Sequence, residues 1–164
     1  MTAVWGRGRV RITLMWISTK AQYGMRALVE VAVGGDRPTS LRTVAERQAL
    51  SHQYLEQIFA VLRRAGLVES VRGAHGGYRL ARRPDRIDAL EVVELLEGSV
   101  APVACIDDEA NCDHVGACAT EALWREVDRA VRRVLSGTTV ADMMRERTLL
   151  QIEPLPEEFA GSVR

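Results

Sequence analysis

Residues 51–82 read SHQYLEQIFAVLRRAGLVESVRGAHGGYRLAR. Ser51 is a helix N-cap residue, able to accept a hydrogen bond from a free amide of the first turn. Behind it Leu55, Ile58, Phe59 and Leu62 keep the i, i+3, i+4, i+7 spacing of one buried face, and Gly66 ends the helix as a C-cap. Burying that stripe turns Gln53, Glu56, Gln57 and Ala60 outward. Two β-capable runs follow, 67–71 and 78–81, joined by a loop with three glycines, which is the pattern of a β-hairpin.

Upstream, Ser18 and Thr19 can cap a helix with Met25, Leu28, Val29 and Ala32 on its apolar side, closed by Gly34-Gly35. After a turn at Pro38, Ser40 caps a second, short helix. Its stripe is Leu41, Val44, Ala45 and Gln48, with Gln48 the polar exception, and the pattern breaks at Leu50-Ser51. Three helices and a hairpin in this order predict a winged helix-turn-helix. The first helix packs behind, the second crosses phosphates, the third enters the major groove and the wing reaches a neighbouring groove.

Downstream, Asp88 and Glu91 have the spacing of a capping box for a helix over 89–97, stopped by Gly98. A polar stretch, CIDDEANCDHVGAC (105–118), separates it from a longer helix running from Ala119 to about Leu135. Ala119, Leu123, Val127, Ala130, Val131 and Val134 share one face of that helix, which is about 25 Å long at 1.5 Å per residue. An apolar face so far from the winged-helix core needs cover, and a two-fold mate is the simplest candidate, so a homodimer is expected. Residues 139–147 predict one more short helix.

The expected organisation is an extension over 1–14, a DNA-binding winged helix over 15–86 and a linking helix over 87–98. A cysteine-rich loop over 99–118, dimerisation helices over 119–150 and a loose tail over 151–164 complete it. The fold class is mainly α with a small β-hairpin wing and a long dimerisation helix. MTAVWGRGRVRITL, residues 1–14, is either upstream read-through before a start at Met15 or a basic arm that touches DNA.

The 164 residues carry 22 Lys+Arg and 22 Asp+Glu, a net charge of zero that hides two opposite halves. Residues 1–86 hold 15 basic and 6 acidic side chains, a net +9, and residues 87–164 hold 7 and 16, a net −9. A basic winged helix suits an anionic partner. Lys20 is the one lysine among the 22 cations; arginine forks onto phosphate and guanine, although a codon bias gives the same skew. With no apolar run near membrane-spanning length and no signal-peptide pattern at the N-terminus, the reading is a soluble, cytoplasmic protein without a membrane partner.

Cys105, Cys112 and Cys118, odd in number, interrupt a polar loop rather than apolar segments, which argues against a disulfide framework and for a metal group. Zinc is a rival, but spacings of six and five residues differ from structural zinc knuckles. Three thiolates leave one iron site of an iron-sulfur cluster for a weaker ligand. A thiol oxidoreductase lacks support: the chain has no C-x-x-C pair and no nucleotide-binding glycine loop.

The stretches STKAQYGMRALVEVA (18–32), 51–82 as quoted, and CATEALWREV (118–127) resemble the Rrf2 family of bacterial winged-helix transcription regulators, the IscR and NsrR group, over 15–152. The YLEQ and VRGxxGGY elements are the most specific, and IscR-like members are the most similar. The resemblance implies a dimer on pseudo-palindromic promoter double-stranded DNA whose affinity follows cluster occupancy or redox state. It implies control of iron-sulfur cluster assembly genes through a 2Fe-2S cluster, with 4Fe-4S as the alternative. Nitric oxide or oxidative-stress sensing is a variant, and a metal-free repressor of cysteine metabolism a second reading.

Cys105, Cys112 and Cys118 match the family's three cysteine ligands, with C-x6-C where C-x5-C is common. Where IscR-like members place histidine, three residues after the last cysteine, this chain has Glu121; where NsrR-like members use a partner's aspartate, it has Gln22. Glu121 is the candidate fourth ligand, against a plain i+4 pair with Arg125. Asp113 and His114 compete for the role.

For DNA, the candidates on the third helix are Ser51, His52, Gln53 and Tyr54 at its start, with Gln53 and Gln57 suited to adenine and Glu56 to cytosine N4. In the wing they are Arg72, Gly73, His75, Gly76 and Tyr78. Arg63 and Arg64 add phosphate attraction, while Phe59 and Trp124 read as packing.

Overall fold

The computed structural model describes residues 17–112, 114 and 117–152. The expected extension over 1–14, Met15, Asp113 and the tail from 153 onward lie outside the described residues. Three helices come first: α1 Thr19–Val33, α2 Leu41–Gln48 and α3 His52–Arg64. Strands β1 Val68–Val71 and β2 Gly77–Leu80 pair antiparallel, Val68 opposite Leu80 and Val71 opposite Gly77. Then come α4 Ala89–Glu97, α5 Ala104–Asp107, α6 Glu121–Ser136 and α7 Val140–Ile152, with 3₁₀ turns at Pro84–Arg86 and Glu109–Asn111. The fold is a winged helix-turn-helix with an added helical half.

The three N-caps form as the sequence reads. Side-chain oxygens of Ser18, Ser40 and Ser51 accept from the amides of Lys20, Thr43 and Tyr54. The short α2–α3 connection is made by Ala49, left-handed at φ 52, and the Leu50 amide returns to the Ala45 carbonyl at 3.0 Å. At the end of α3 the Leu67 amide reaches back to the Leu62 carbonyl at 3.0 Å, turning the chain directly into β1.

The core differs from a simple one-stripe picture at α1. Besides Leu28, Val29 and Ala32, the residues Ala21, Gly24, Ala27, Glu30 and Val31 are buried, and Met25 is half-buried. The reason is that α2, α3, α4 and α7 all pack on α1, so it is the central helix rather than a backing layer. Phe59, Leu55, Ile58 and Leu62 of α3 join Leu28, Val44, Leu67, Ile87 and Val92 in one continuous cluster.

Two boundary expectations shift. The long helix begins at Glu121 rather than Ala119: the Trp124 amide donates to the Thr120 carbonyl at 3.2 Å, which makes Thr120 the N-cap, while the Glu121 amide closes a separate turn on the Cys118 carbonyl. The last helix extends to Ile152, past the expected 147. Its N-terminus holds a reciprocal cap that the sequence reading assigned elsewhere: the Thr139 amide donates to Asp142 Oδ2 at 2.8 Å, and the Asp142 amide donates to Thr139 Oγ1 at 3.1 Å. At α4 just one half of a capping box forms. Asp88 accepts from the Glu91 amide at 2.9 Å, but the Glu91 carboxylate pairs with Arg82 at 2.6 Å instead of turning back.

The helical half is stitched to the winged helix at the α4 and α7 starts. The Ala89 amide donates to the Thr138 carbonyl at 2.8 Å, and the Val140 amide to the Ile87 carbonyl at 2.9 Å. From there α7 returns to α1, while α6 packs on α4 and α5. Arg132 of α6 reaches Glu94 of α4 at 2.7 Å. The α6 face remains open: Leu123 is 57% and Val134 65% exposed.

Candidate DNA interface and cysteine pocket

The start of α3 presents Ser51, His52, Gln53, Glu56 and Gln57 on its exposed side, as the buried stripe dictates. His52 Nδ1 lies 3.7 Å from Glu56 Oε1, too far for a firm hydrogen bond, so both side chains are free to turn to a partner. Tyr54 is half-buried, its ring edge-on to Tyr23 at 6.3 Å. Arg63 and Arg64 extend the exposed basic edge in the last turn.

Arg72, Gly73 and His75 are exposed at the wing tip, where the Gly76 amide donates to the Gly73 carbonyl at 2.9 Å. Gly73 sits at φ 118, a region that L side chains rarely adopt. A Cβ on Gly76 would overlap the Val71 carbonyl oxygen. The tip is therefore narrow by construction. Tyr78 has a different position from these residues. Its ring packs 4.9 Å from Phe59, and its backbone exchanges hydrogen bonds of 2.8 and 2.9 Å with Thr39, tying the wing to the α1–α2 connection.

The placement of α2 depends on a residue that periodicity missed. Glu30, buried on α1, accepts from Arg47 Nη1 at 2.7 Å and Gln48 Nε2 at 3.0 Å, both on α2, and pairs with Arg147 of α7 at 2.6 Å. Burial pushes this carboxyl up, but the hydrogen bonds from Arg47 and Gln48 and the charges of Arg147 and Arg47 outweigh it and hold it below the ordinary value. Gln48, the polar exception of the α2 stripe, is explained: it faces a buried carboxylate, and Arg26 Nε donates to its Oε1 at 3.0 Å. An acid amid the apolar residues of α1 with no local partner was the signal available.

Cys105, Cys112, Cys118 and Glu121 line one small open pocket together with Ile106, Glu109 and Arg125. Cys105 sits on α5, Cys112 follows the Glu109–Asn111 turn, and Cys118 precedes α6. The Cys118 thiol is held below its ordinary value, first by the Thr120 hydroxyl at 3.3 Å and then by backbone amides of Thr120 and Glu121. His114 is exposed and does not line the pocket; its amide donates to Cys112 Sγ at 3.4 Å. Glu121 makes the i+4 pair with Arg125 at 2.8 Å, and Arg125 also binds Glu109 at 3.0 Å. These two carboxylates raise the Arg125 guanidinium above its ordinary value.

Among the described residues no three His, Cys, Asp or Glu side chains converge on a single ion-sized point. Three thiols lining one pocket are the donor type that an iron-sulfur cluster takes.

The sequence profile of Rrf2, described as an iron-dependent transcriptional regulator, matches residues 17–146. The chain belongs to the Rrf2 family. It is 40% identical to the rrf2 protein of Nitratidesulfovibrio vulgaris over 136 residues, 82% of this chain and 91% of that one. It is 43% identical to the HTH-type transcriptional regulator CymR of Bacillus subtilis over 79% and 89% of the two chains. Among solved structures, CymR, the global cysteine regulator of B. subtilis, superposes with a TM-score of 0.69 at 41% identity, covering 80% and 97%. IscR of T. potens superposes with a TM-score of 0.68 at 39% identity, covering 87% and 94%.

As an Rrf2 protein the chain is a DNA-binding transcription regulator, not an enzyme. No helix among the described residues is long and apolar enough to cross a membrane. The Rrf2 match, over residues 17–146, spans both the winged helix and the cysteine pocket.

Proposed function

We propose that this Rrf2 regulator binds pseudo-palindromic promoter DNA as a homodimer and adjusts its affinity to an iron-sulfur cluster held by Cys105, Cys112, Cys118 and Glu121. The observation that carries the reading is the shared pocket of these four side chains. A bound 2Fe-2S cluster supplies a charge and a bonding pattern that change with iron supply and redox state. Glu121, the one oxygen ligand, is the exchangeable position. Control of cluster assembly genes is the matching regulon.

On the DNA side, α3 enters the major groove with Gln53, Glu56 and Gln57 at base edges. Ser51 and His52 meet phosphate at the helix N-terminus, where amides and the helix dipole favour anions. Arg72, with His75, takes the adjacent groove from the wing. The open α6 face, with Leu123 and Val134, is the dimer surface.

Protein purified without oxygen tests the cluster. The expected product is coloured, contains equimolar iron and acid-labile sulfide, and loses both in Cys112→Ala with folding retained. A colourless, iron-free product after iron and sulfide reconstitution would overturn the reading. It would favour a metal-free regulator of cysteine metabolism, a second reading supported by the 43% identity to CymR.

A further inference from the structure

The ligands of the pocket come from two separate pieces of chain. Cys105 and Cys112 belong to the α5 segment and the turn after it, while Cys118 and Glu121 belong to the start of α6. Glu109 lies between the first two cysteines. We propose that Arg125 is the positioning residue of this pocket, a strut whose single guanidinium holds the cysteine-bearing segment and the helix at ligand spacing. Its functional consequence rests on the cluster reading above; its structural part does not.

Arg125 Nε donates to Glu121 Oε1 at 2.8 Å, and Nη2 donates to Glu109 Oε1 at 3.0 Å. The planar fork makes these two bonds in fixed relative directions and so links the exposed Glu109 to Glu121 with the strength of surface ion pairs. Glu121 is engaged through Oε1 and lines the pocket beside the three thiols. The strut has a fixed foot: α6 is itself anchored to α4 by Arg132 and Glu94 at 2.7 Å. Arg125 is also the cation among the residues lining the pocket, beside three thiols and two carboxylates. Loading the pocket gathers anionic ligands, and a guanidinium already in place offsets part of their repulsion. Outer-shell partners of metal ligands act in this way, and their loss costs roughly 10- to 100-fold in metal affinity.

Two measurements on the full chain test the strut. In apo protein, amide exchange over residues 105–112 is followed in wild type, Arg125→Gln, Glu109→Gln and the double variant. Exchange is expected to rise roughly threefold in Arg125→Gln, the scale of one exposed ion pair, and the double variant to be no worse than Arg125→Gln alone. In reconstituted protein, cluster release to a ferrous chelator is expected to be at least about tenfold faster in Arg125→Gln. Exchange and release matching wild type, or additive effects of the two substitutions, would overturn the proposal. Should wild type retain no iron and sulfide, the cluster reading fails, and the exchange comparison decides the strut by itself.

Discussion

Replacing Glu30 by glutamine isolates the buried hub that joins α1, α2 and α7. The wild-type carboxylate is fully buried and receives Arg47, Gln48 and Arg147 within 3.0 Å. Glutamine keeps one acceptor oxygen but turns an amide group toward donors, and it removes the counter-charge of two arginines. Breaking a buried pair costs about 3–5 kcal/mol. Arg47, 58% exposed, can swing into water, whereas Arg147, 24% exposed, cannot follow fully. The expected loss is therefore at the low end, about 3 kcal/mol, or roughly 6–12 °C in Tm for a chain of this size.

Urea and thermal unfolding at fixed protein concentration measure that loss. The Glu30 carboxyl is held below its ordinary value of 4.5. A depressed carboxyl contributes stability above its unfolded value and loses it as pH falls through the lower folded value. The difference between wild type and Glu30→Gln is accordingly full near neutrality and shrinks below about pH 4.5. A loss under about 1 kcal/mol, or a difference that does not shrink in acid, would refute the hub.

Three other outcomes follow from the geometry. Arg72→Ala should weaken promoter binding about equally across sequences and lower the salt slope by about 1, read by fluorescence anisotropy at several salt concentrations; an unchanged slope would remove the wing from the interface. Gly76→Ala should open the wing tip, because its Cβ overlaps the Val71 carbonyl. The check is faster amide exchange across β1 and β2 with little change in α3. Leu123→Glu with Val134→Glu should convert a dimer to monomer in sedimentation, since both side chains stand on the open α6 face. A dimer that survives both changes would place the interface elsewhere.

The winged helix was legible because its signals are local. Ser18, Ser40 and Ser51 each cap the helix they precede, and the α3 stripe fixes which side of that helix stays outward. What escaped depends on contacts between residues distant in the chain. Glu30 meets partners 17, 18 and 117 positions away, and no period in α1 announces them. Glu91 has the spacing of a capping box, yet Arg82, nine residues earlier, wins its carboxylate. The pairing of Glu121 with Arg125 followed from i+4 spacing, but the third member, Glu109, required the fold of the cysteine segment. Tyr78 reads as part of the wing motif, and the packing of its ring on Phe59 depends on the fold rather than on a local pattern.

The affinity of one promoter fragment for the cluster-loaded protein and for the same preparation stripped by chelator, at a single salt concentration, tests the central claim most directly. A regulator that reads its pocket should differ between the two states by roughly tenfold or more, with Cys112→Ala fixed at the stripped value. Equal affinity in both states, from a preparation shown to hold iron and sulfide, would contradict it.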